Sequence, residues 1–193
     1  MNIDFIADIS CLWSYIAWRQ LQTALRECAV EADIVPCIVS SGLLFPKIRQ
    51  AFPDRKEILR RRLSPLLEEN GIYVNFDTLP DLSEDISLCG RLIKTAFSEK
   101  KYKLLDDIFN AYFAFGRDVS TRQTLQPIAD YYKLDLARLN AVPPLMPSAV
   151  PEGLRTVPCT IFNGTSVIFG AQGVPCLKNI IRLNAQMQKE NLF

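Results

Sequence analysis

Histidine is absent from all 193 residues of the sequence. This absence excludes Ser-His-Asp triads, Cys-His pairs and the usual zinc sites, because each of them depends on an imidazole. Any catalysis must use cysteine, serine, tyrosine, lysine, carboxylate or backbone groups. The six cysteines form neither a C-x-x-C pair nor a ligand cluster, so we expect no metal and no bound cofactor.

Strong charge and long apolar runs are missing as well. The formal net charge is +1, which gives no basic surface for a nucleic acid. No run of about 18 apolar residues is present, so we expect no membrane span. The first ten residues have no basic n-region and no apolar h-region, and we expect no secretory signal. Six cysteines without such a signal predict free thiols and a cytoplasmic protein.

An ordinary globular composition is what remains, with 49% hydrophobic and 22% charged residues. Its length suits one domain, residues 1–193. An apolar run over 3–7 predicts a buried strand, helical spacing from 13 to about 28 predicts a helix, and alternation over 33–39 predicts a second strand. A β-α-β unit with a parallel pair of strands is therefore expected at the start.

A helical block should separate this unit from a late hairpin. Helical spacing recurs over 55–70, 85–98, 102–115 and 121–132, with a short extra turn at 135–140. Ser120 is the expected N-cap of the fourth of these helices. Strands follow over 157–163 and 166–169, joined by an Asn-Gly turn, and a last helix runs over about 174–188. This order of elements predicts the α/β class.

The start of the first helix resembles a known active-site motif. Residues 8–15, DISCLWSY, resemble the pattern D-x-x-C-P-W-C-Y of the FrnE-like branch of the DsbA family. Leu12 stands where the family has proline, and Ser14 stands where it has the second cysteine. Two further segments agree with the family, FAFGRDVS within residues 112–134 and VPCTIFNG continuing to GAQ within 157–172.

This resemblance implies a thioredoxin-like fold with a helical insertion, about residues 50–145, between the β-α-β and β-β-α halves. It also implies that Cys11 is the nucleophile and that Pro158 is a cis proline packed beside it. At a helix start, free N–H groups and the helix dipole would lower the pKa of Cys11. The implied activity is that of a thiol-disulfide oxidoreductase with a monothiol C-x-x-S site.

The remaining site residues are expected around this thiol. The Ser14 hydroxyl could donate a hydrogen bond to the Cys11 sulfur, but it cannot form a disulfide. Leu12, Trp13 and Tyr15 are predicted to contact substrate, and the backbone of Val157 beside Pro158 is predicted to pair with an extended peptide or with glutathione. Without a second motif cysteine, glutathione as co-substrate or a protein thiol would resolve the adduct on Cys11.

The other cysteines leave one alternative open. Cys159 follows Pro158 and is either a buried core residue or a resolving or redox-sensing thiol. Cys176 lies at another helix start, where its pKa could also be lowered. Cys28, Cys37 and Cys89 occupy apolar periodic positions typical of a core.

Two other functions remain open at this stage. Kappa-class glutathione transferases and 2-hydroxychromene-2-carboxylate isomerases carry S-P-Y-S in the corresponding loop, so Ser14 could activate glutathione for conjugation or isomerisation while Cys11 is incidental. The chain could instead be a non-catalytic peptide-binding or chaperone protein. The expected partners are protein thiols, protein disulfides or glutathione, and the chain could associate as a homodimer.

Overall fold

The computed structural model describes residues 1–39, 55–80, 86–141, 154 and 156–190, and a mixed sheet lies at its centre. The strands of this sheet are β1 (Asn2–Ala7), β2 (Asp33–Ile38), β3 (Cys159–Phe162) and β4 (Ser166–Phe169). Their order across the sheet is β2-β1-β3-β4. β1 is parallel to β2 and antiparallel to β3, and β3 is antiparallel to β4.

Six α-helices lie in the described residues. They are α1 (Leu12–Cys28), α2 (Arg55–Glu69), α3 (Ser87–Thr95), α4 (Ser98–Phe109), α5 (Arg122–Tyr131) and α6 (Val174–Glu190). A π-helical turn (Asn110–Ala114) follows α4, and a 3-10 helix (Leu136–Ala141) follows α5. The described residues between β2 and β3 contain α2, α3, α4 and α5, which correspond to the four helices that the sequence predicted. Residues 40–54 and 142–153, at the two ends of the predicted insertion, lie outside the described residues.

The sheet carries apolar side chains on both faces, because successive residues of a strand point to opposite sides. Phe5 points toward α1, where its ring lies 5.2 Å from that of Trp18. Ile6 belongs to a separate cluster, in register with Cys37 on β2 and with Cys159 on β3. This second cluster consists of Ile6, Cys37, Val157, Cys159 and Ile161.

A buried glutamine fixes the position of α1. The Gln20 side chain is only 2% exposed. Its amide nitrogen donates to Oδ1 of Asn70, just after α2, and its Oε1 accepts from the Gly173 N–H, just before α6, each at 3.2 Å. Since buried polar groups are costly when unpaired, these two bonds hold the helix that begins beside Cys11 in one orientation.

The cap of α5 differs from the prediction by one residue. The Thr121 Oγ1 accepts a hydrogen bond from the Thr124 N–H at 3.3 Å, so Thr121 is the N-cap. The Ser120 hydroxyl instead donates to the Asp118 carboxylate at 2.6 Å. The prediction of Ser120 was wrong because serine and threonine both cap helices well and the two stand side by side.

The helix predicted over 102–115 is divided into two parts. α4 ends at Phe109, and a π-helical turn follows in which the Phe115 N–H donates to the Asn110 carbonyl at 3.0 Å. In the turn, the Phe113 ring stacks on Tyr15 of α1, with ring centres 4.8 Å apart and planes 9° from parallel. The turn thus packs directly against the first helical turn of α1.

Candidate functional site

A tight turn after β1 positions Cys11 at the start of α1. The Asp8 carboxylate accepts hydrogen bonds from the Ser10 N–H at 2.7 Å and from the Ser10 hydroxyl at 2.6 Å. The Cys11 N–H donates to the Asp8 carbonyl at 3.1 Å. Aspartate commonly organises a turn two residues onward in this way. Cys11 therefore becomes the N-cap of α1, with extended backbone angles of φ −91° and ψ 112°.

Cys11 begins α1 and packs against the second cluster. Its carbonyl accepts the first helical hydrogen bonds, from the Ser14 N–H at 2.9 Å and the Tyr15 N–H at 3.2 Å. The residue is half-buried and packs against the cluster that contains Val157 and Cys159. Of the residues predicted to be catalytic, Cys11 is the one with an accessible surface.

The pKa of Cys11 is raised, not lowered as the helix-start argument predicted. Burial is the largest cause, and the negative charge of Asp8 acts in the same direction. Hydrogen bonds from the Ser14 N–H, the Ser14 hydroxyl and the Trp13 N–H oppose these effects without overcoming them. The prediction was wrong because it counted the helix end but not the apolar cluster or the nearby carboxylate.

The Ser14 side chain lies in the protein interior, three residues after Cys11 in the motif. Its side chain is fully buried, at 0% exposure, and its hydroxyl oxygen accepts from the Asp8 N–H at 3.3 Å. Hydrogen bonding by the Ser14 side chain also lowers the pKa of the Cys11 thiol, by less than burial raises it. Because Ser14 is enclosed, any reagent in solution meets Cys11 before it meets Ser14.

Of the three side chains expected near the substrate, one is exposed. Trp13 is 41% exposed, whereas Leu12 and Tyr15 are buried. Tyr15 packs in the core, stacked on Phe113, so the expectation that it lines a cleft is wrong for its side chain. The cause is helical geometry, because residues on the inner side of the first turn of α1 face the protein and Trp13 faces outward.

The loop before β3 lies on the same cluster as Cys11. The Val157–Pro158 peptide bond is cis, as the resemblance implied. Both side chains are buried, and Val157 belongs to the second cluster against which Cys11 packs. The Pro158 carbonyl accepts from the Gly170 N–H at 2.8 Å, so the end of β4 holds the loop in place.

Two features of the site escaped the sequence analysis. One is the action of Asp8 on the thiol, for which the D-x-S spacing of residues 8–10 was the available signal. The other is the grouping of Cys11, Cys37 and Cys159 around one cluster, which no local spacing predicts. Among the described residues, no group of His, Cys, Asp or Glu side chains could hold a metal ion, and none of their helices is long and apolar enough to span a bilayer.

The strand order, the helix-start cysteine and the cis-proline loop define a thioredoxin-like α/β protein. Residues 2–143 match the family model of the DSBA-like thioredoxin domain, and the chain belongs to that family. Both the predicted fold class and the coarser part of the resemblance are thereby confirmed. A search of the curated proteins gave no match to this sequence.

Three solved structures illustrate how widely this fold is used. A probable DsbA oxidoreductase from Streptomyces coelicolor is 16% identical, with a TM-score of 0.71 over 96% of this chain and 90% of its own. A 2-hydroxychromene-2-carboxylate isomerase is 14% identical, with a TM-score of 0.66 over 100% of both chains. The cytosolic disulfide reductase DsbM from Pseudomonas aeruginosa is 16% identical, with a TM-score of 0.64 over 97% and 100%. At these identities the similarity establishes the fold alone.

Proposed function

We propose that the chain catalyses thiol-disulfide exchange through the single thiol of Cys11, as a FrnE-like member of its family. The observation that carries this proposal is the contrast in exposure within the motif. Cys11 is partly exposed at the start of α1 and packs on the cluster that contains Val157, whereas Ser14 is fully buried. A partly exposed cysteine at a helix start, with a hydroxyl that can donate to its sulfur, suits attack on a disulfide.

The exchange requires two steps at one sulfur. The Cys11 thiol loses its proton to water, its sulfur attacks one sulfur of a disulfide, and the second sulfur leaves as a thiolate that takes up a proton. A glutathione thiolate then attacks the sulfur bound to Cys11. The Cys11 thiolate leaves and is reprotonated, and glutathione departs as a disulfide with the group it has removed.

The raised pKa of Cys11 sets the pH dependence of this reaction. Burial and the Asp8 charge keep the thiol protonated in the resting protein. Since only the thiolate attacks, the exchange rate should rise with pH until the pKa of Cys11 is passed. The Ser14 hydroxyl stabilises the thiolate once it forms, because a hydrogen bond to a charged acceptor is stronger than one to a neutral group.

Glutathione is the small thiol that we propose as co-substrate. A further structure of DsbM, with a TM-score of 0.59 to this chain, contains glutathione. The exposed indole of Trp13, two residues after Cys11, and the backbone of Val157, in the cluster against which Cys11 packs, are the groups that we expect to contact glutathione. A cytoplasmic location agrees with this choice, since glutathione keeps thiols reduced there.

A second candidate is glutathione-dependent isomerisation or conjugation. The raised pKa of Cys11 favours it, because a protonated sulfur could donate to a glutathione thiolate instead of attacking a disulfide. The match to the isomerase over the full length of both chains agrees with this function. The enclosed position of Ser14 argues against its direct contact with glutathione.

Activity measurements on three variants separate these functions. We expect Cys11→Ala to reduce glutathione-dependent disulfide reduction to the uncatalysed rate, and Ser14→Ala to lower it by about tenfold through loss of one hydrogen bond to the thiolate. Cys176→Ala is the matched control, because Cys176 is an exposed cysteine in the first turn of α6. Full activity in Cys11→Ala would refute the proposal, and glutathione-dependent isomerase or transferase activity in a wild-type protein that does not reduce disulfides would establish the second candidate.

A further inference from the structure

Three of the six cysteines surround one apolar cluster. Cys37 and Cys159 are members of the second cluster, with exposures of 2% and 0%, and Cys11 packs against it from the site. In the sheet, Ile6 stands between the other two, paired with Cys37 on β2 and with Cys159 on β3. Cys37 and Cys159, whose thiols the exchange reaction does not use, therefore belong to the same cluster that Cys11 packs against.

The other three cysteines are placed elsewhere. The Cys28 sulfur donates to the Lys178 carbonyl at 3.8 Å, and the Cys89 sulfur donates to the Val119 carbonyl at 3.2 Å. Cys176 is exposed at the start of α6. None of these three belongs to the second cluster, so the thiols that share a cluster with Cys11 are Cys37 and Cys159.

We propose that Cys159 is the resolving thiol of Cys11, so that the two form a reversible disulfide that links the start of α1 to the start of β3. This inference rests on the proposed function and deepens it. Ser14, in the usual position of a resolving cysteine, has no sulfur with which to release the adduct. Cys159 would supply that sulfur from the opposite half of the fold.

Cys11 and Cys159 lie at the same end of the strands of the sheet. β1 ends at Ala7, and the turn held by Asp8 returns the chain to Cys11 beside that end. β3 runs antiparallel to β1 and begins at Cys159, opposite Ile6. The amino end of β3 and the amino end of α1 therefore both lie next to the carboxyl end of β1.

The place of each thiol in its strand favours Cys159 over Cys37. Cys159 is the first residue of β3 and directly follows the Val157–Pro158 loop, whose Val157 belongs to the cluster against which Cys11 packs. Cys37 lies one residue before the end of β2, on the other side of β1. Cys37 is therefore the natural control, since it is also buried, shares the cluster and pairs with the same Ile6.

Complete burial restricts what Cys159 can react with. At 0% exposure, its sulfur is closed to dissolved thiols and disulfides, whereas a sulfur that already packs on the cluster can reach it by a local movement. Burial raises the pKa of Cys159 to about 11, so resolution should accelerate with pH. The thiolate, once formed, is a strong nucleophile because nucleophilicity increases with thiol pKa.

The electrons and protons of this reaction balance with a dissolved disulfide as the oxidant. Cys11 first attacks oxidised glutathione, forms a mixed disulfide and releases one glutathione. Cys159 then loses its proton, attacks the Cys11 sulfur and displaces the second glutathione. Two protein thiols are oxidised to one disulfide, one glutathione disulfide is reduced to two thiols, and the two protons end on the released glutathione. Reduced glutathione reverses both steps.

Non-reducing peptide mapping tests this inference on the full chain. The reduced protein is incubated with oxidised glutathione, quenched with acid at intervals, alkylated and analysed by mass spectrometry. In the wild type and in Cys37→Ser we expect a Cys11–Cys159 disulfide and little glutathione on Cys11. In Cys159→Ser we expect the Cys11 adduct to persist at least about ten times longer. Cys159→Ala serves as a second variant, and circular dichroism checks that both are folded.

The outcomes separate this inference from the proposed function. A lasting Cys11 adduct in the wild type, with the same lifetime in Cys159→Ser, overturns the inference and leaves the monothiol reaction standing. A Cys11–Cys37 disulfide overturns the choice of resolving thiol. Absence of any glutathione or disulfide on Cys11 in every variant refutes the proposed function, and the inference with it.

Discussion

Burial of the Cys159 thiol should make the folded chain less stable at alkaline pH. The folded-state pKa is raised from an ordinary value of 9.0 to about 11, with burial as the cause. Below pH 9 the thiol is neutral in both states and costs nothing. Above pH 9 it ionises in the unfolded chain but not yet in the folded one, so the unfolding free energy falls as pH rises from about 9 to 11.

The size of the loss follows from the same two values. A difference of two pKa units corresponds to about 3 kcal/mol when the thiol is ionised in both states, at about 1.4 kcal/mol per unit. At pH 11 the folded thiol is only half ionised, and the loss reached there is about 2 kcal/mol. That is a large part of the 5–15 kcal/mol that stabilises a typical domain.

Urea unfolding at pH 8 and pH 11, in degassed buffer with a phosphine reductant, measures this loss. Lysines, tyrosines and the other cysteines titrate in the wild type and in Cys159→Ala alike, so the difference between the two proteins isolates Cys159. We expect the wild type to lose about 2 kcal/mol more than Cys159→Ala over this interval. Cys176→Ala, which removes an exposed thiol, should behave as the wild type does. Equal losses in the wild type and Cys159→Ala would refute the burial argument.

Three further predictions follow from single contacts. Gly116→Ala should lower the unfolding free energy by about 2 kcal/mol or more, because φ is +60° and the new Cβ would lie 2.1 Å from Thr78 Oγ1 and 2.6 Å from its carbonyl. Thr121→Ala should cost about 1 kcal/mol through loss of the α5 cap, measured by thermal unfolding. Iodoacetamide should alkylate Cys11 with a rate that inflects above the ordinary cysteine range, and Asp8→Asn should shift that inflection to lower pH, since the Asp8 charge raises the pKa of Cys11.

Each of these predictions has a matched control in the chain. Gly71 has the same backbone angle, φ +61°, but open space around its would-be Cβ, so Gly71→Ala should cost clearly less than Gly116→Ala. Ser120→Ala removes a neighbouring hydroxyl that does not cap α5, and an equal or larger loss than in Thr121→Ala would contradict the assignment of the cap. An alkylation profile of Cys11 that is unchanged in Asp8→Asn would contradict the electrostatic account.

Local patterns were sufficient for most of the fold. The strand over 3–7 follows from an apolar run, the strand over 166–169 from the Asn-Gly turn before it, and the long helices from period-3.6 spacing, all of which depend only on neighbouring residues. The cis state of Pro158 came from the family resemblance and not from spacing. The π-helical turn after Phe109 could not be predicted in this way, because one added residue in a turn hardly changes the spacing of apolar side chains.

The chemistry of the site needed the folded structure. Cys11 and Ser14 were identified from the motif, but the direction of the Cys11 pKa shift depends on the apolar cluster supplied by three strands and on a carboxylate three residues earlier. Tyr15 is a second example. The side of α1 that faces the core is set by contacts between distant residues, such as the stacking of Tyr15 on Phe113. Short-range sequence patterns carry no information on contacts across such separations.

The account depends most directly on Cys11 being the sulfur that meets a disulfide. Reduced protein at neutral pH can be given a short exposure to oxidised glutathione and, in parallel, to iodoacetamide, followed by peptide mapping of Cys11, Cys28 and Cys176, the three cysteines that are not buried. We predict that Cys11 is the first of these cysteines to be modified by oxidised glutathione, either as an adduct or as a disulfide formed from that adduct. The exposed Cys176 should react with iodoacetamide at least as fast as Cys11 does. Glutathione on Cys28 or Cys176 ahead of Cys11 would contradict the account.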